Sequence, residues 1–178
     1  ERTLIETQLL IGKLMYAVKQ QDYTALQHIR LECRRLLELG RNSPHSYERF
    51  LCLTIRGICN FLLEKDKKKA QDSFYESLRC AIESDMPNLE WKAMFHIAQL
   101  CVLVGNAESE IIIKEAKRQV ETALAINPCM ERDLTKMFQP VIEHLNLLSS
   151  RKELCNAYPD TTTLISVSAE GCLFVIMN

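Results

Sequence analysis

Glycine and proline are scarce in this chain, five of each among 178 residues. That leaves few positions for tight turns and points to long helices. Neither sign of charge is in excess: 22 Lys and Arg stand against 23 Asp and Glu, a formal net charge of -1. A near-neutral chain sets up no global field that would draw in nucleic acid or an anionic membrane. Long hydrophobic runs are missing too. The longest apolar stretch, Phe50 to Leu63, is interrupted by Arg56 and is too short to span a bilayer, and no signal-peptide pattern is present. Absent as well are G-x-S-x-G, G-x-x-x-x-G-K-S/T and G-x-G-x-x-G, so neither a nucleophile elbow nor a phosphate-cradling loop is expected.

The residues that do carry chemistry are scattered. His28, His45, His96 and His144 lie far apart, without the close pairing that places two imidazoles on one metal. Eight cysteines stand at 33, 52, 59, 80, 101, 129, 155 and 172, with no C-x-x-C pair. Most fall inside apolar helical patterns, where a reduced thiol behaves as a small hydrophobe. We expect no enzyme, no cofactor and no metal, and reduced core thiols of an intracellular protein, cytoplasmic or nuclear. The length suffices to bury a core without staples. The ends, Glu1 and an apolar run closing at Asn178, point to a piece of a longer protein.

Apolar periodicity then lays out the chain. Leu4, Leu10, Ile11, Leu14, Met15 and Val18 form one helical stripe between Arg2 and Gln20. Asp22 is a good N-cap for a second helix carrying Leu26, Ile29, Cys33, Leu36 and Leu37, stopped by Gly40. A third, opening after Ser46 and running to about Lys65, is apolar on nearly every side and predicts a buried central helix. A fourth spans Lys67 to Ser84, with Met86-Pro87-Asn88 as the next break. Helices follow over about 89–104 and 108–126. A seventh is expected between Glu131 and Cys155, kinked or restarted at Pro140. Residues 158–178 differ, with β-branched alternation that predicts an extended or β-like tail. The domain division expected is therefore 1–157 and 158–178.

An internal repeat organises the helices. Ala25, Ala70 and Ala116 open alternate helices at spacings of 45 and 46, each followed four residues later by a larger group, Ile29, Phe74 or Val120. Tyr16 and Phe61 share the same 45-residue offset. The small residue lets two antiparallel helices approach and the large one fills the space between them. Three such pairs predict a short α-solenoid, each pair burying its face against neighbours.

These residues resemble a family. The segment Ala116 to Pro128 (AKRQVETALAINP) is similar to the second helix of a tetratricopeptide repeat, with Ala116, Val120, Ala123 and Pro128 at the family's offsets. Tyr16, Ala25 and Ile29, and Phe61, Ala70 and Phe74, follow the same pattern. Departures are the longer repeat, about 45 residues against about 34, glycines at Gly12 and Gly57 one position early, and an extra stretch around Asn106 to Ile113. The spacing leaves HEAT-like pairs open as well. The resemblance implies an all-α fold, a short right-handed α-solenoid of antiparallel helix pairs, and a partner peptide bound on the surface of each pair's first helix. Some members hold a partner's terminal carboxylate there with lysines and asparagines. The positions here are largely apolar, so the expected groove is lined by Leu10, Leu14, Ile55, Leu62 and Trp91, unless these are plain core.

The function expected is a protein–protein interaction scaffold that docks a helical or extended segment of a partner subunit in a multi-protein complex. Two basic clusters offer an alternative surface: Arg30, Arg34 and Arg35 on the second helix, and Lys65, Lys67, Lys68 and Lys69 at the turn after the third. A nucleic-acid-associated adaptor would use them, although the interleaved aromatics of a single-strand binder are missing. A homodimer paired through the C-terminal tail is the remaining alternative.

Overall fold

The computed structural model describes residues 2–40, 45–64, 67–104 and 108–126, together with Asn146 and Val175. Six helices fill them: α1 (Arg2–Gln20), α2 (Tyr23–Leu39), α3 (Ser46–Leu63), α4 (Lys68–Glu83), α5 (Pro87–Val104) and α6 (Ser109–Ile126). No strand occurs among the described residues. The fold is all-α, as the periodicity predicts. Pro87, expected as part of a break, instead opens α5. A first-turn residue has no intrahelical N–H partner to lose, and the fixed φ of proline suits that position. The seventh helix and the tail fall outside the described residues, save that Asn146 is helical and Val175 is helical and buried rather than extended.

Two tight turns are built alike. Gln21 takes a left-handed φ of 53°, and the Asp22 N–H then reaches back to the Ala17 carbonyl at 2.9 Å. After α4, Asp85 takes φ 51° and the Met86 N–H reaches the Ala81 carbonyl at 2.9 Å. Both satisfy carbonyls that a helix end would leave orphaned. Asp22 also caps α2, its carboxylate accepting from the Ala25 N–H at 2.9 Å. Gly40 ends α2 without using left-handed freedom, at φ -82°.

The chain divides into two compact units, Glu1–Met86 and Pro87–Asn178. In the first, α3 packs against α1, α2 and α4 and is the centre of the core. Phe50, Leu51, Cys52, Ile55, Ile58 and Cys59 are all buried along it, which accounts for its apolar character on every side. Its buried hydroxyl, Thr54, donates to the Phe50 carbonyl at 2.9 Å. Gly57 is the close-approach point: a Cβ there would sit 2.6 Å from Cδ1 of the Phe74 ring on α4. At Gly12, the repeat equivalent on α1, a Cβ would meet nothing within 4 Å.

Those two glycines predict opposite signs. Gly12→Ala should raise stability by about 0.5–1 kcal/mol through helix propensity. Gly57→Ala should lower it by about 1–3 kcal/mol, because the buried Phe74 ring has nowhere to go. Urea melts of the two variants check both signs, and Phe74→Leu should recover part of the loss at Gly57.

In the second unit α5 packs against α6. Leu89, Trp91, Ala93 and every residue from Met94 to Cys101 are buried, so α5 is enclosed along most of its length. The α6 face that is covered carries Ile113, Ala116 and Val120, an i, i+3, i+7 stripe. His96 is fully buried on α5, and burial, reinforced by the Lys92 charge, holds its pKa down to about 3 from 6.5. Below pH 6.5 the unfolded chain gains a proton at this ring that the folded chain refuses. Stability from His96 is therefore complete above that pH and is lost as pH falls toward 3. Denaturation midpoints at pH 7 and 5 should fall less in His96→Leu than in the wild type, the difference reaching up to about 1.4 kcal/mol per pH unit.

Candidate functional site

A polar line runs along α3 and onto its C-cap: Arg49, Arg56, Asn60 and Glu64, with Leu53 between them. Their spacings of seven, four and four place them on one side of a helix. Along that line α2 and α4 do not close over α3, leaving a cleft of about 500 Å³. From α2 it receives Arg30, Leu31, Arg34, Leu37 and Glu38, and from α4 and its approach Lys69 and Glu76. Leu53 is its buried floor and Leu31 an exposed wall.

A polar network braces the cleft across three helices. Arg30 donates to Glu64 Oε1 at 2.6 Å and to Asn60 Oδ1 at 3.4 Å. Lys69 shares that same Glu64 oxygen at 3.3 Å. Asn60 in turn donates to the Lys69 carbonyl and the Ser73 hydroxyl, each at 3.4 Å. Arg56 bonds Ser73 Oγ at 3.1 Å and Glu76 Oε2 at 2.8 Å. Arg30 and then Lys69 hold the Glu64 carboxyl below the usual carboxylate range. Among the described residues Arg34 pairs with the exposed Glu38 alone, one turn along its own helix, a pair worth about 0.5 kcal/mol or less. Arg49 makes no side-chain hydrogen bond or ion pair among the described residues.

The basic residues expected from sequence are thus divided. Arg30, Arg34 and Lys69 come together in the cleft, joined by Arg49 and Arg56. Arg35 points elsewhere, pairing with Glu6 at 3.0 Å and Glu32 at 2.9 Å. Lys67 caps α3, donating to the Phe61 and Glu64 carbonyls at 2.6 and 2.8 Å and lying 5.0 Å from the Phe61 ring centre. Burial holds its ammonium below the usual range. Lys68 is exposed, and Lys65 lies outside the described residues. Arg49 and Arg56 were missed by sequence reasoning, although their register with Asn60 and Glu64 was a usable signal.

The expected apolar groove fares differently. Leu14 and Ile55 are fully buried and Trp91 is 3% exposed. They are core, because these are the faces on which their helices meet their neighbours. Leu62 is half-buried. Leu10, itself buried, lines a second groove of about 620 Å³ between α1 and α2, walled by Leu9, Gly12, Tyr16 and Ile29. A Cβ at Gly12 would meet nothing within 4 Å in that groove, whereas Phe74 covers Gly57 in the equivalent pair.

The described cysteines, Cys33, Cys52, Cys59, Cys80 and Cys101, are free and buried. Burial pushes Cys59 up to about 12, and a thiol hydrogen bond to Cys52 together with burial raises Cys33. No three His, Cys, Asp or Glu side chains converge on a point among the described residues. No helix there is long and apolar enough to cross a membrane. Comparison with protein-family models, curated proteins and solved structures gives no match.

Leu14→Ala and Ile55→Ala should each cost about 2–5 kcal/mol as core truncations. Leu31→Ala, on the exposed wall, should stay within about 0.5 kcal/mol. Guanidinium unfolding of the three variants reads the contrast.

Proposed function

We propose that the chain is a non-catalytic protein-interaction module that docks a segment of a partner protein in the cleft between α2, α3 and α4. The observation carrying this reading is the cleft itself. It is a braced concavity of about 500 Å³ combining leucine walls with half-buried guanidinium groups. Apolar contacts supply affinity in such a site and fixed polar groups supply register. The helix pairs suit a short right-handed α-solenoid of the tetratricopeptide-like kind, with the small alanines Ala70 and Ala116 fully buried. The thiols of Cys33, Cys59, Cys80 and Cys101 are raised, with Cys52 alone among the described cysteines lowered by its bond to Cys33, which favours a structural over a nucleophilic role for most of them, and reduced core cysteines suit an intracellular setting. A nucleic-acid adaptor is disfavoured, since among the described residues no aromatic side chain lines the cleft for base stacking and three carboxylates do.

Panning a random peptide library against the full chain tests the reading. Enriched peptides should bind the wild type and lose at least about tenfold in affinity to Leu31→Asn, with circular dichroism unchanged. Peptides that bind Leu31→Asn equally well, or no enrichment over an unrelated helical protein, would overturn it.

A further inference from the structure

The cleft's charges do not balance. Five cations line it, Arg30, Arg34, Arg49, Arg56 and Lys69, against the three carboxylates of Glu38, Glu64 and Glu76. The distribution sharpens the mismatch. One Glu64 oxygen serves both Arg30 and Lys69, and Arg49 has no acidic partner among the described residues. Among the described residues two positive charges are therefore left uncompensated in a concave site, on a chain whose net charge is -1. A local excess in a recess is felt far more strongly than the same charges spread over a convex surface.

Resting on the docking reading above, we propose that the segment taken by this cleft is acidic, carrying Asp and Glu side chains on either side of an apolar residue. Arg49 receives one carboxylate at one end of the α3 line, and the Arg30–Lys69 pair receives another toward Glu64. The apolar residue between them rests on Leu31, Leu37 and Leu53. Arg30 and Arg56 are already held in place by Glu64, Ser73 and Glu76, so engaging a carboxylate costs little further ordering. Planar guanidinium groups also match carboxylates in pairs of parallel hydrogen bonds. A polyanionic nucleic acid fits less well. Its continuous phosphate charge would meet Glu38, Glu64 and Glu76 in turn, and its bases would find no ring to stack on.

Fluorescence anisotropy with the full chain tests the proposal. The probes are short labelled peptides of identical length, one of Glu, Asp and Leu, one with Gln and Asn in place of the acids, and one with Lys. All are amidated so that no terminal carboxylate contributes. A single-stranded RNA oligonucleotide is the fourth probe. The acidic peptide should bind at least about tenfold more tightly than the others, and should weaken as salt rises. Arg49→Glu should weaken it roughly tenfold, and Glu38→Gln should tighten it by about twofold to fivefold, both with unchanged circular dichroism. Equal or tighter binding of the neutral or basic peptide overturns the acidic assignment while leaving the docking reading intact. Tighter binding of the RNA, or acidic binding indifferent to Arg49→Glu and Glu38→Gln, overturns it as well. If none of the probes binds, the acidic assignment falls. The library panning then decides separately whether the cleft docks peptides at all.

Discussion

Helix α3 is covered by α1, α2 and α4, and the polar side chains with which it and its C-cap reach across to α2 and α4 fall along one line, because a buried polar group is costly without a partner. Much of the first unit is arranged around that line. Asn60 is buried and is matched by the Lys69 carbonyl, Ser73 and Arg30. Arg56 reaches Ser73 and Glu76, and Glu64 gathers Arg30 and Lys69. Each bond needs its partner at a fixed reach, and along this line α2 and α4 leave α3 open to the cleft. The cleft is the geometric residue of satisfying α3's polar atoms. Had those four positions been leucine, α2 and α4 could close over them and no recess would remain.

The helices were legible because apolar periodicity is a local property. The stripe of α1, the Asp22 cap of α2 and the all-round apolar character of α3 each announce themselves within a dozen residues. Burial of a particular side chain is not local. Tyr16 and Phe61 share one repeat register, yet the first is exposed and the second buried, because different neighbours lie over them. The same limit explains why Leu14 and Ile55 read as groove residues and proved to be core. Arg56 and Glu76 are 20 residues apart, and Arg30 and Glu64 are 34 apart. No spacing rule announces such pairs before the helices are placed. The α3 polar line was visible, but it lacked the run of like charges that drew attention to the lysines after it.

The 45-residue repeat carries a further physical point. Gly57 and Phe74 form a notch and a ring, and Gly12 and Ile29 occupy the same register without touching. The notch is filled in the α3–α4 hairpin, while the α1–α2 hairpin keeps a groove of about 620 Å³ beside Gly12. Repeat architectures tolerate such drift because each pair is held mainly by its immediate neighbours. The register can persist while the filling of each interface changes.

The Gln21–Asp22 turn, only two residues between helices, has a kinetic consequence. In the first unit α1 meets α2, α2 meets α3 and α3 meets α4, with α1 against α3 the one principal contact that skips a helix. Such short-range topology favours rapid folding, because little chain must be looped before contacts form. The α1–α2 hairpin can assemble by itself early. The cleft cannot, since its lining comes from α2, α3 and α4 together and the bonds of Arg56 and Lys69 exist only once α4 is seated. During synthesis the recess is consequently completed only once residues through Glu76 have emerged, and a nascent chain stalled before α4 presents Arg56 without Ser73 and Glu76.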